Sequence, residues 1–227
     1  MSLTVEKIRE SFGQAGLTDY FTPEALKGLL KFSHKMLQIN ETLNLTRWIE
    51  DEAFLNFHLL DSAFSLPHLK PFLKDSHHWM DLGTGCGFPG AVLMASNPQV
   101  EITLMDSVAK KTKALEECLN ESGLRGKTLT GRAEELGQDP RQRESWDGIT
   151  ARAVADFRVV LEYAVPLLKV GGYLVNWMTA DQLKLVDKAE TAQKLLHCKI
   201  IKKAEYQSNK PMTALLDLIK SYNETSN

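Results

Sequence analysis

Features that mark secreted, metal-binding and membrane proteins are scarce in this chain of 227 residues. Its three cysteines, Cys86, Cys118 and Cys198, form no C-x-x-C pair, which argues against a disulfide framework and a zinc site. No apolar run reaches the roughly 18 residues of a membrane span, and the polar start MSLTVEKIRE lacks a signal-peptide core. We therefore expect a cytoplasmic protein, without metal or membrane contact and monomeric by default.

An excess of one charge is also lacking, because 27 basic residues balance 29 acidic ones and the formal net charge is −2. This balance does not indicate a nucleic-acid partner, so any RNA binding would need a local basic patch. Hydrophobic residues make up 43% of the chain and charged residues 25%, which is typical of a globular protein with a sizeable core.

Residues 1–66 are predicted to form a helical cap. Thr22 is expected to cap a long helix, and Pro23 suits its first position, where no hydrogen-bond donor is needed. A second helix is predicted to end before Pro67, because proline interrupts helices. The core is then expected at residues 67–227, packed with the cap as one unit.

Strand and helix patterns alternate through the core. Seven strands are predicted at HHWMDLG, VEITLMD, KTLT, WDGITARAV, GGYLVNWM, CKIIKKAEYQ and MTALLDLIKS. Pro89 is expected to begin one intervening helix, Gly123 to end another, and QLKLVDKAETAQKLLH to form a single helix. This alternation predicts an α/β, Rossmann-like fold with a mostly parallel seven-stranded sheet. The last two strands lie close together in sequence, so we expect an antiparallel C-terminal pair.

Charged residues follow the predicted strand ends. Asp81, Asp106, Arg132 and Arg152 each fall at or just past such an end. Parallel sheets bind ligands outside the carboxyl ends of their strands. The sequence therefore predicts a ligand site at this edge.

A glycine-rich loop, DLGTGCGFPG, follows the first strand and contains G-x-G-x-x-G from Gly85 to Gly90. Such a loop lets backbone approach a ligand, as in sites for NAD and for S-adenosylmethionine. Asp106 suits a ribose in either case. Asp81, just before Gly83, favours S-adenosylmethionine because a carboxylate repels a pyrophosphate and attracts a sulfonium and an ammonium. The alternative for Asp81 is a carboxylate that stabilises the turn.

Cys86 lies inside this loop. Some RNA methyltransferases use a cysteine nucleophile, but that chemistry serves unreactive pyrimidine carbons. We therefore interpret Cys86 as a small packed residue with no catalytic role.

Several further stretches occur in a fixed order: NLTR, HLLDS, DLGTGCGFPG, LMDSVAKKTKALEE, GRAEEL, WDGITARAVA and PLLKVGGYL. Together they resemble the glucose-inhibited division protein B family, RsmG, over about residues 43–174. The resemblance implies a class I methyltransferase that uses S-adenosylmethionine to methylate N7 of a guanine in 16S ribosomal RNA. Its partner would be small-subunit ribosomal RNA or the ribosomal particle.

The resemblance also implies roles for particular residues. The implied cofactor-binding residues are Asp81, Gly83, Gly85, Phe88, Asp106, Ala133, Glu134 and Arg152. Asp106 would hold the ribose, and Ala133 with Glu134 would lie near the adenine. Singly, Phe88 could be a core residue, Glu134 a helix-start carboxylate and Arg152 a surface ion-pair partner.

Substrate-side candidates are fewer. His58 and Asp61 are spaced i and i+3 on one helical turn, a pair that the family shares. With Asn44 and Arg152 they are candidates for positioning the substrate. A helix histidine can equally be a packed or hydrogen-bonding residue, and Asn44 could be a helix cap or turn residue.

Basic residues that could hold RNA phosphates are Lys110, Lys111, Lys113, Arg125, Lys127 and Arg132, with Arg141, Arg143 and Arg158 as further candidates. The alternative is that the lysines form a solvated helix face. No general base is expected, because N7 of guanine carries no proton. The enzyme would act by aligning N7, the methyl carbon and sulfur.

Two departures from the family keep other functions open. Family members usually carry a lysine after the fifth strand, where this chain has NWMTA, and an arginine before the last strand, where Lys210 is a partial substitute. A methyltransferase of a small molecule or protein therefore stays possible, as does a non-catalytic module that binds S-adenosylmethionine or RNA. A nucleotide-dependent oxidoreductase ranks last because of the charge on Asp81.

Overall fold

The computed structural model describes residues 3–184, 186–206 and 213–220. The N-terminal helices are α1 (Val5–Gln14), α2 (Pro23–Leu43), α3 (Asp51–Phe54), a π-helical turn (Leu55–Leu60), α4 (Asp61–Ala63) and α5 (Leu66–Leu69), with a 3₁₀ turn at Thr18–Tyr20. No helix in these described ranges is both long enough and apolar enough to cross a membrane. Lys210 lies outside them.

Helix α2 forms as its sequence predicts. The Thr22 hydroxyl accepts a hydrogen bond from the amide of Ala25 at 3.1 Å, and Pro23 occupies the first turn. Apolar residues at helical spacing, including Leu29 and Phe32, are fully buried. The helix therefore covers the core with one face.

The second predicted helix is interrupted. Helices α3 and α4 flank the π-helical turn, and together they form residues 51–63, which we call the helical wall. Pro67 does not simply end a helix but lies in the first turn of α5, where its missing N–H costs no hydrogen bond.

The described residues form a sheet of seven strands. They are β1 (His78–Leu82), β2 (Glu101–Asp106), β3 (Gly126–Thr130), β4 (Trp146–Arg152), β5 (Leu168–Thr179), β6 (Cys198–Tyr206) and β7 (Thr213–Lys220), in the order β3-β2-β1-β4-β5-β7-β6. The first five strands run parallel, whereas β7 is antiparallel to both β5 and β6. The predicted antiparallel C-terminal pair is confirmed.

The crossovers are α6 (Gly90–Ser96), α7 (Ala109–Ser122), α8 (Ala133–Leu136), α9 (Phe157–Ala164), α10 (Ala180–Leu183) and α11 (Glu190–Leu195). Pro89 precedes α6, and Gly123 ends α7 in the left-handed conformation, as predicted. The single helix predicted after β5 is wrong. A 3₁₀ turn at Val186–Ala189 separates α10 from α11. Val186 and Ala189 are both buried, and residues three apart lie on the same face of a 3₁₀ helix.

The core connects the cap to the sheet. One hydrophobic cluster joins Phe32 of α2 and Phe54 of the helical wall with Leu104 of β2 and Leu115 of α7. A second cluster lies around α9, with Ile149 of β4 in it. The first cluster therefore crosses the predicted boundary at residue 66, although that boundary itself stays a prediction.

Candidate functional site

The glycine loop, residues 83–90, joins β1 to α6 and packs tightly. Gly83 has a φ of +63°, and a Cβ there would lie 2.9 Å from the side chain of Val154. Gly87 has a φ of +93°, and a Cβ there would lie 2.6 Å from the ring of Phe32. Both conformations and both contacts favour glycine, so the loop is a fixed feature of the sheet edge.

Asp81 holds this loop closed. One carboxylate oxygen accepts hydrogen bonds from the Thr84 hydroxyl at 2.6 Å and the Gly90 amide at 3.0 Å, and the other accepts from the Thr150 hydroxyl at 2.8 Å. The residue is only 1% exposed, and burial raises its pKa despite these donors. The expectation that Asp81 faces the ligand is therefore corrected: its oxygens are engaged inside the protein, as in the turn-carboxylate alternative. Its charge no longer separates S-adenosylmethionine from NAD.

Asp106 lies at the end of β2, as predicted. Its carboxylate accepts from the amides of Val108 at 3.0 Å and Gly85 at 3.2 Å, and it pairs with the ammonium of Lys111 at 3.4 Å. The carboxylate thus ties the loop to the second strand. Its contact with a ribose stays a prediction.

A cavity of about 180 Å³ opens beside Gly83, and Ala133 and Glu134 line it as the resemblance implies. Glu134 is bonded to the hydroxyl of Tyr163 and pairs with Arg132 at 3.3 Å. The pKa of Glu134 lies below its ordinary value, chiefly because backbone donates to it at the start of α8. Tyr163 also lines the cavity, and no motif in the sequence marks it.

Phe88 takes the core position that was its alternative. It is 2% exposed and makes edge-to-face contacts with Phe32 and Phe54, with ring centroids 5.7 and 5.6 Å apart. It also stacks on His58 at 5.3 Å. Its ring is therefore enclosed by these three neighbours, and a contact between Phe88 and a cofactor stays a prediction.

Arg152 joins the end of β4 to the helical wall. One guanidinium nitrogen donates to the Phe57 carbonyl at 3.1 Å, pairs with Asp61 at 3.2 Å and donates to the Ser62 hydroxyl at 3.4 Å. The side chain is 14% exposed and that of Asp61 is 2% exposed. The surface ion-pair alternative is wrong, because Asp61 is buried and Arg152 is only partly exposed.

His58 completes this network. The other terminal nitrogen of Arg152 donates to Nδ1 of His58 at 3.2 Å, and Nε2 of His58 lies 2.8 Å from the Thr46 hydroxyl. Because a guanidinium only donates, Nδ1 must accept, and Nε2 carries the proton that goes to Thr46. His58 is therefore a neutral, hydrogen-bonded residue that shares Arg152 with Asp61.

Cys86 contacts the same histidine, with its sulfur 3.8 Å from Nδ1 of His58. Burial raises the pKa of the Cys86 thiol to about 11. A thiol in this state is not a nucleophile at neutral pH. The packing role predicted for Cys86 fits the structure.

Asn44 takes its capping alternative. It follows α2 in the left-handed conformation, with a φ of +50°, and its backbone N–H donates to the backbone carbonyl of Asn40. Asn40, which the sequence did not single out, instead binds both the amide of Thr46, at 2.8 Å, and its carbonyl, at 2.9 Å. Tyr206 was also missed, and its hydroxyl donates to the Asp61 carbonyl at 3.0 Å. A contact between Asn44 and substrate stays a prediction.

Comparison with known proteins decides the family. The model of the rRNA small subunit methyltransferase G family, GidB, matches residues 25–212. The relative of that name from Alkaliphilus metalliredigens is 36% identical over 178 residues, or 78% of this chain and 74% of the relative. The relative of the same name from Fusobacterium nucleatum is 35% identical over 207 residues, which is 89% of this chain and 82% of the relative. The chain belongs to the rRNA small subunit methyltransferase G family.

Solved structures share the α/β fold described above. A SAM-dependent methyltransferase from Aquifex aeolicus has a TM-score of 0.53 and 17% identity, covering 71% of this chain and 95% of its own. The [4+2]-cyclase SpnF has a TM-score of 0.56 and 14% identity, covering 71% and 81%. These likenesses concern the fold alone, and they confirm the predicted class I methyltransferase architecture.

The predicted basic residues of this methyltransferase G member do not form one patch. Lys110, Lys111 and Lys113 lie at the start of α7, at the ligand-binding edge, and Arg132 precedes α8 at the same edge. Arg125 and Lys127 lie instead at the start of β3. Lys127 pairs with Glu101, the first residue of β2, at 2.7 Å. Because the strands are parallel, these two cations lie at the opposite edge, so their place in the predicted patch is corrected.

The further candidates are mostly engaged locally. Arg141 pairs with Asp139 at 2.8 Å and Arg158 with Asp156 at 3.1 Å. Arg143 donates to the Gly137 carbonyl at 2.9 Å. Exposed pairs of this kind contribute little stability, and an RNA phosphate would have to compete with each carboxylate.

Proposed function

We propose that this methyltransferase G member transfers a methyl group from S-adenosylmethionine to N7 of a guanine in 16S ribosomal RNA. The observation that carries this proposal is the sheet edge, where the glycine loop and its cavity adjoin the buried Arg152–His58–Asp61 network. Family membership supports the substrate class, and the chemistry of the edge supports N7.

The lining of the cavity suits the adenine of this cofactor. Met105 and Ala133 give it apolar lining, and Glu134 gives its rim an acceptor for an amino group. Asp106, at the neighbouring strand end, supplies acceptor oxygens suited to ribose hydroxyls. When bound, S-adenosylmethionine supplies an electrophilic methyl group on a sulfonium.

The residues that could act as a base are already occupied. Both ring nitrogens of His58 are in hydrogen bonds, Asp61 is paired with Arg152, and the thiol of Cys86 is protonated at neutral pH. This arrangement suits an acceptor atom that needs no deprotonation. Guanine N7 is such an atom, because its lone pair is free in the neutral base.

The network is suited to positioning instead. Arg152 fixes the helical wall against β4 through four hydrogen-bond acceptors of that wall, and the wall in turn borders the glycine loop. Holding two reactants in line at close approach can supply a large share of a rate enhancement. We assign Arg152, His58 and Asp61 to positioning rather than to proton transfer. Monomeric action, a cytoplasmic location and independence of metal are part of the same proposal.

Ligand titration tests the cofactor assignment. We expect calorimetry to detect binding of S-adenosylhomocysteine and none of NAD. Gly83→Ala should abolish this binding, because a methyl group there meets Val154 in a left-handed backbone. Gly171→Ala is the matched control, since Gly171 has a φ of +80° but open space around it. Binding of NAD alone would overturn the assignment.

Methyl transfer tests the reaction. Small ribosomal subunits and naked 16S ribosomal RNA, both from cells lacking the protein, are incubated with labelled S-adenosylmethionine, and the product is mapped by mass spectrometry. We expect one N7-methylguanosine. A methyl group on another atom, or tight cofactor binding without transfer to either RNA substrate, would contradict the proposal.

A further inference from the structure

Residues 46–49, which we call the lip, form a built surface beside the buried network. Its anchor is Thr46. The side chain of Asn40 binds the backbone of Thr46, and the ring of His58 binds the hydroxyl of Thr46. The Thr46 hydroxyl also accepts from the amide of Trp48 at 3.1 Å. Two buried polar side chains thus hold an exposed loop in one conformation.

The lip carries a layered stack of side chains. The ring of Trp48 lies on that of Phe57, with centroids 3.9 Å apart and planes at 18°. The guanidinium carbon of Arg47 lies 4.6 Å from the centre of the Trp48 ring. Cation–π contact of this kind orients the arginine at low cost. Arg47 is exposed, so its charge faces solvent from a fixed platform.

Arg47 differs from half of the six principal RNA-binding candidates. Lys111, Lys127 and Arg132 each pair with a carboxylate, whereas Arg47, like Lys110, Lys113 and Arg125, has no ion pair within 4.0 Å among the residues that the structure describes. Its donors therefore need not be released before they bind an anion. Beside it, Ile49 is 53% exposed and extends the surface with an apolar side chain.

The stack also lies close to the proposed reaction centre. Phe57, whose ring supports Trp48, is the residue whose carbonyl accepts from Arg152 at 3.1 Å. The lip and the Arg152 network therefore share one residue, Phe57. This proximity matters because a base extruded for methylation leaves unstacked neighbours.

We propose that the lip binds single-stranded RNA next to the target guanine, with Arg47 as its main contact. The proposal rests on the proposed function and names a substrate contact for it. A guanidinium plane can stack on an unpaired base and donate to phosphate, and single-stranded RNA presents both groups side by side. A basic protein segment would be repelled by Arg47, so RNA is the favoured occupant.

Binding of naked 16S ribosomal RNA at several salt concentrations tests this proposal. Arg47→Gln should weaken binding and reduce the slope of log affinity against log salt by about one unit, because one phosphate contact is lost. Arg47→Lys should keep the slope but bind more weakly than wild type, because its ammonium cannot stack. Trp48→Ala should resemble Arg47→Lys, with weaker binding and an unchanged slope, because Arg47 keeps its charge but loses the ring that orients it. Lys194→Gln, which removes an exposed cation on α11, is the matched control and should change nothing.

Folding and function are checked separately. All variants should bind S-adenosylhomocysteine like wild type, which shows that any loss concerns RNA. If wild type methylates RNA and Arg47→Gln binds it with unchanged affinity and slope, the lip proposal is overturned and the proposed function stands. Weaker binding of that variant to ribosomal particles, but not to naked RNA, would place a protein on the lip and also overturn the proposal. Failure of wild type itself to methylate RNA overturns the function.

Discussion

The glycine loop and the helical wall meet at His58, but different chemistry holds each of them. The loop is closed by Asp81, whose partners are two hydroxyl groups and an amide, all of them neutral. The wall is fixed by a charged donor, Arg152, which lies 91 positions after Asp61 and 95 after Phe57. The glycine loop is thus held mainly by hydrogen bonds within its own short segment, and the helical wall by a residue of a distant strand.

This difference predicts how the stability of the glycine loop and of the helical wall each responds to pH and to substitution. Asp81 is a buried carboxylate with neutral hydrogen-bond donors, so its contribution to stability changes chiefly with pH, although the nearby charge of Arg152 opposes the effect of burial on its pKa. A buried ion pair responds chiefly to loss of a partner, because the remaining charge is stranded in a low-dielectric interior. Substitutions on the two sides should therefore give distinguishable effects.

The largest effect is expected for Asp61→Ala. Removing this carboxylate leaves Arg152 buried and should lower the free energy of unfolding by about 3–5 kcal/mol. Urea denaturation measures the loss. Glu190→Ala, which breaks an exposed pair with Lys194, is the control and should have little effect. Asp61→Asn keeps the shape and should lose less. Equal stability of Asp61→Ala and wild type would show that the network is not a stabilising ion pair.

The second effect concerns pH and Asp81→Asn. Burial raises the pKa of Asp81 in the folded protein. The contribution of such a group is present below the unfolded pKa of about 3.9 and is lost as pH rises through the folded pKa. We expect wild type to lose stability relative to Asp81→Asn as pH increases from about 4. Urea titrations of both proteins over a pH series measure this difference. A constant difference would mean that the carboxyl ionises alike in both states.

The smallest effect is expected at the cavity. Tyr163→Phe removes the hydroxyl that bonds Glu134, and it should weaken binding of S-adenosylhomocysteine a few-fold without changing the unfolding transition. Tyr173→Phe is a suitable control, because Tyr173 packs its ring against Phe72 elsewhere in the core. Unchanged affinity in Tyr163→Phe would show that the hydroxyl does not orient Glu134 for the ligand.

The sequence predicted features that depend on short segments. Thr22, Pro23 and Gly123 act where local propensity places them, and the antiparallel C-terminal pair follows from two adjacent strand patterns. The edge where Asp106 and Arg152 meet was also predictable, because strand ends in a parallel sheet must converge, whereas ligand binding at that edge stays a prediction. Asp106 and Arg152 are both found there.

Features that depend on distant contacts were not predictable. Nothing local distinguishes an Asp81 that faces a ligand from one that bonds Thr150, 69 positions away. Tyr163 and Asn40 carry no motif, and their roles arise only when their helices pack. The split of the basic residues likewise depends on strand direction, since Lys127 is at the beginning of its strand and Arg132 follows the end.

The packing of Phe88 couples movements of the glycine loop to movements of its neighbours. Its ring belongs to the glycine loop but is wedged between α2 and the helical wall, against Phe32, Phe54 and His58. Because a packed interior leaves no spare volume, the loop cannot shift there without displacing one of those neighbours. His58 passes any such displacement to Thr46. The glycine loop and the lip are therefore coupled through the ring of Phe88 and the side chain of His58.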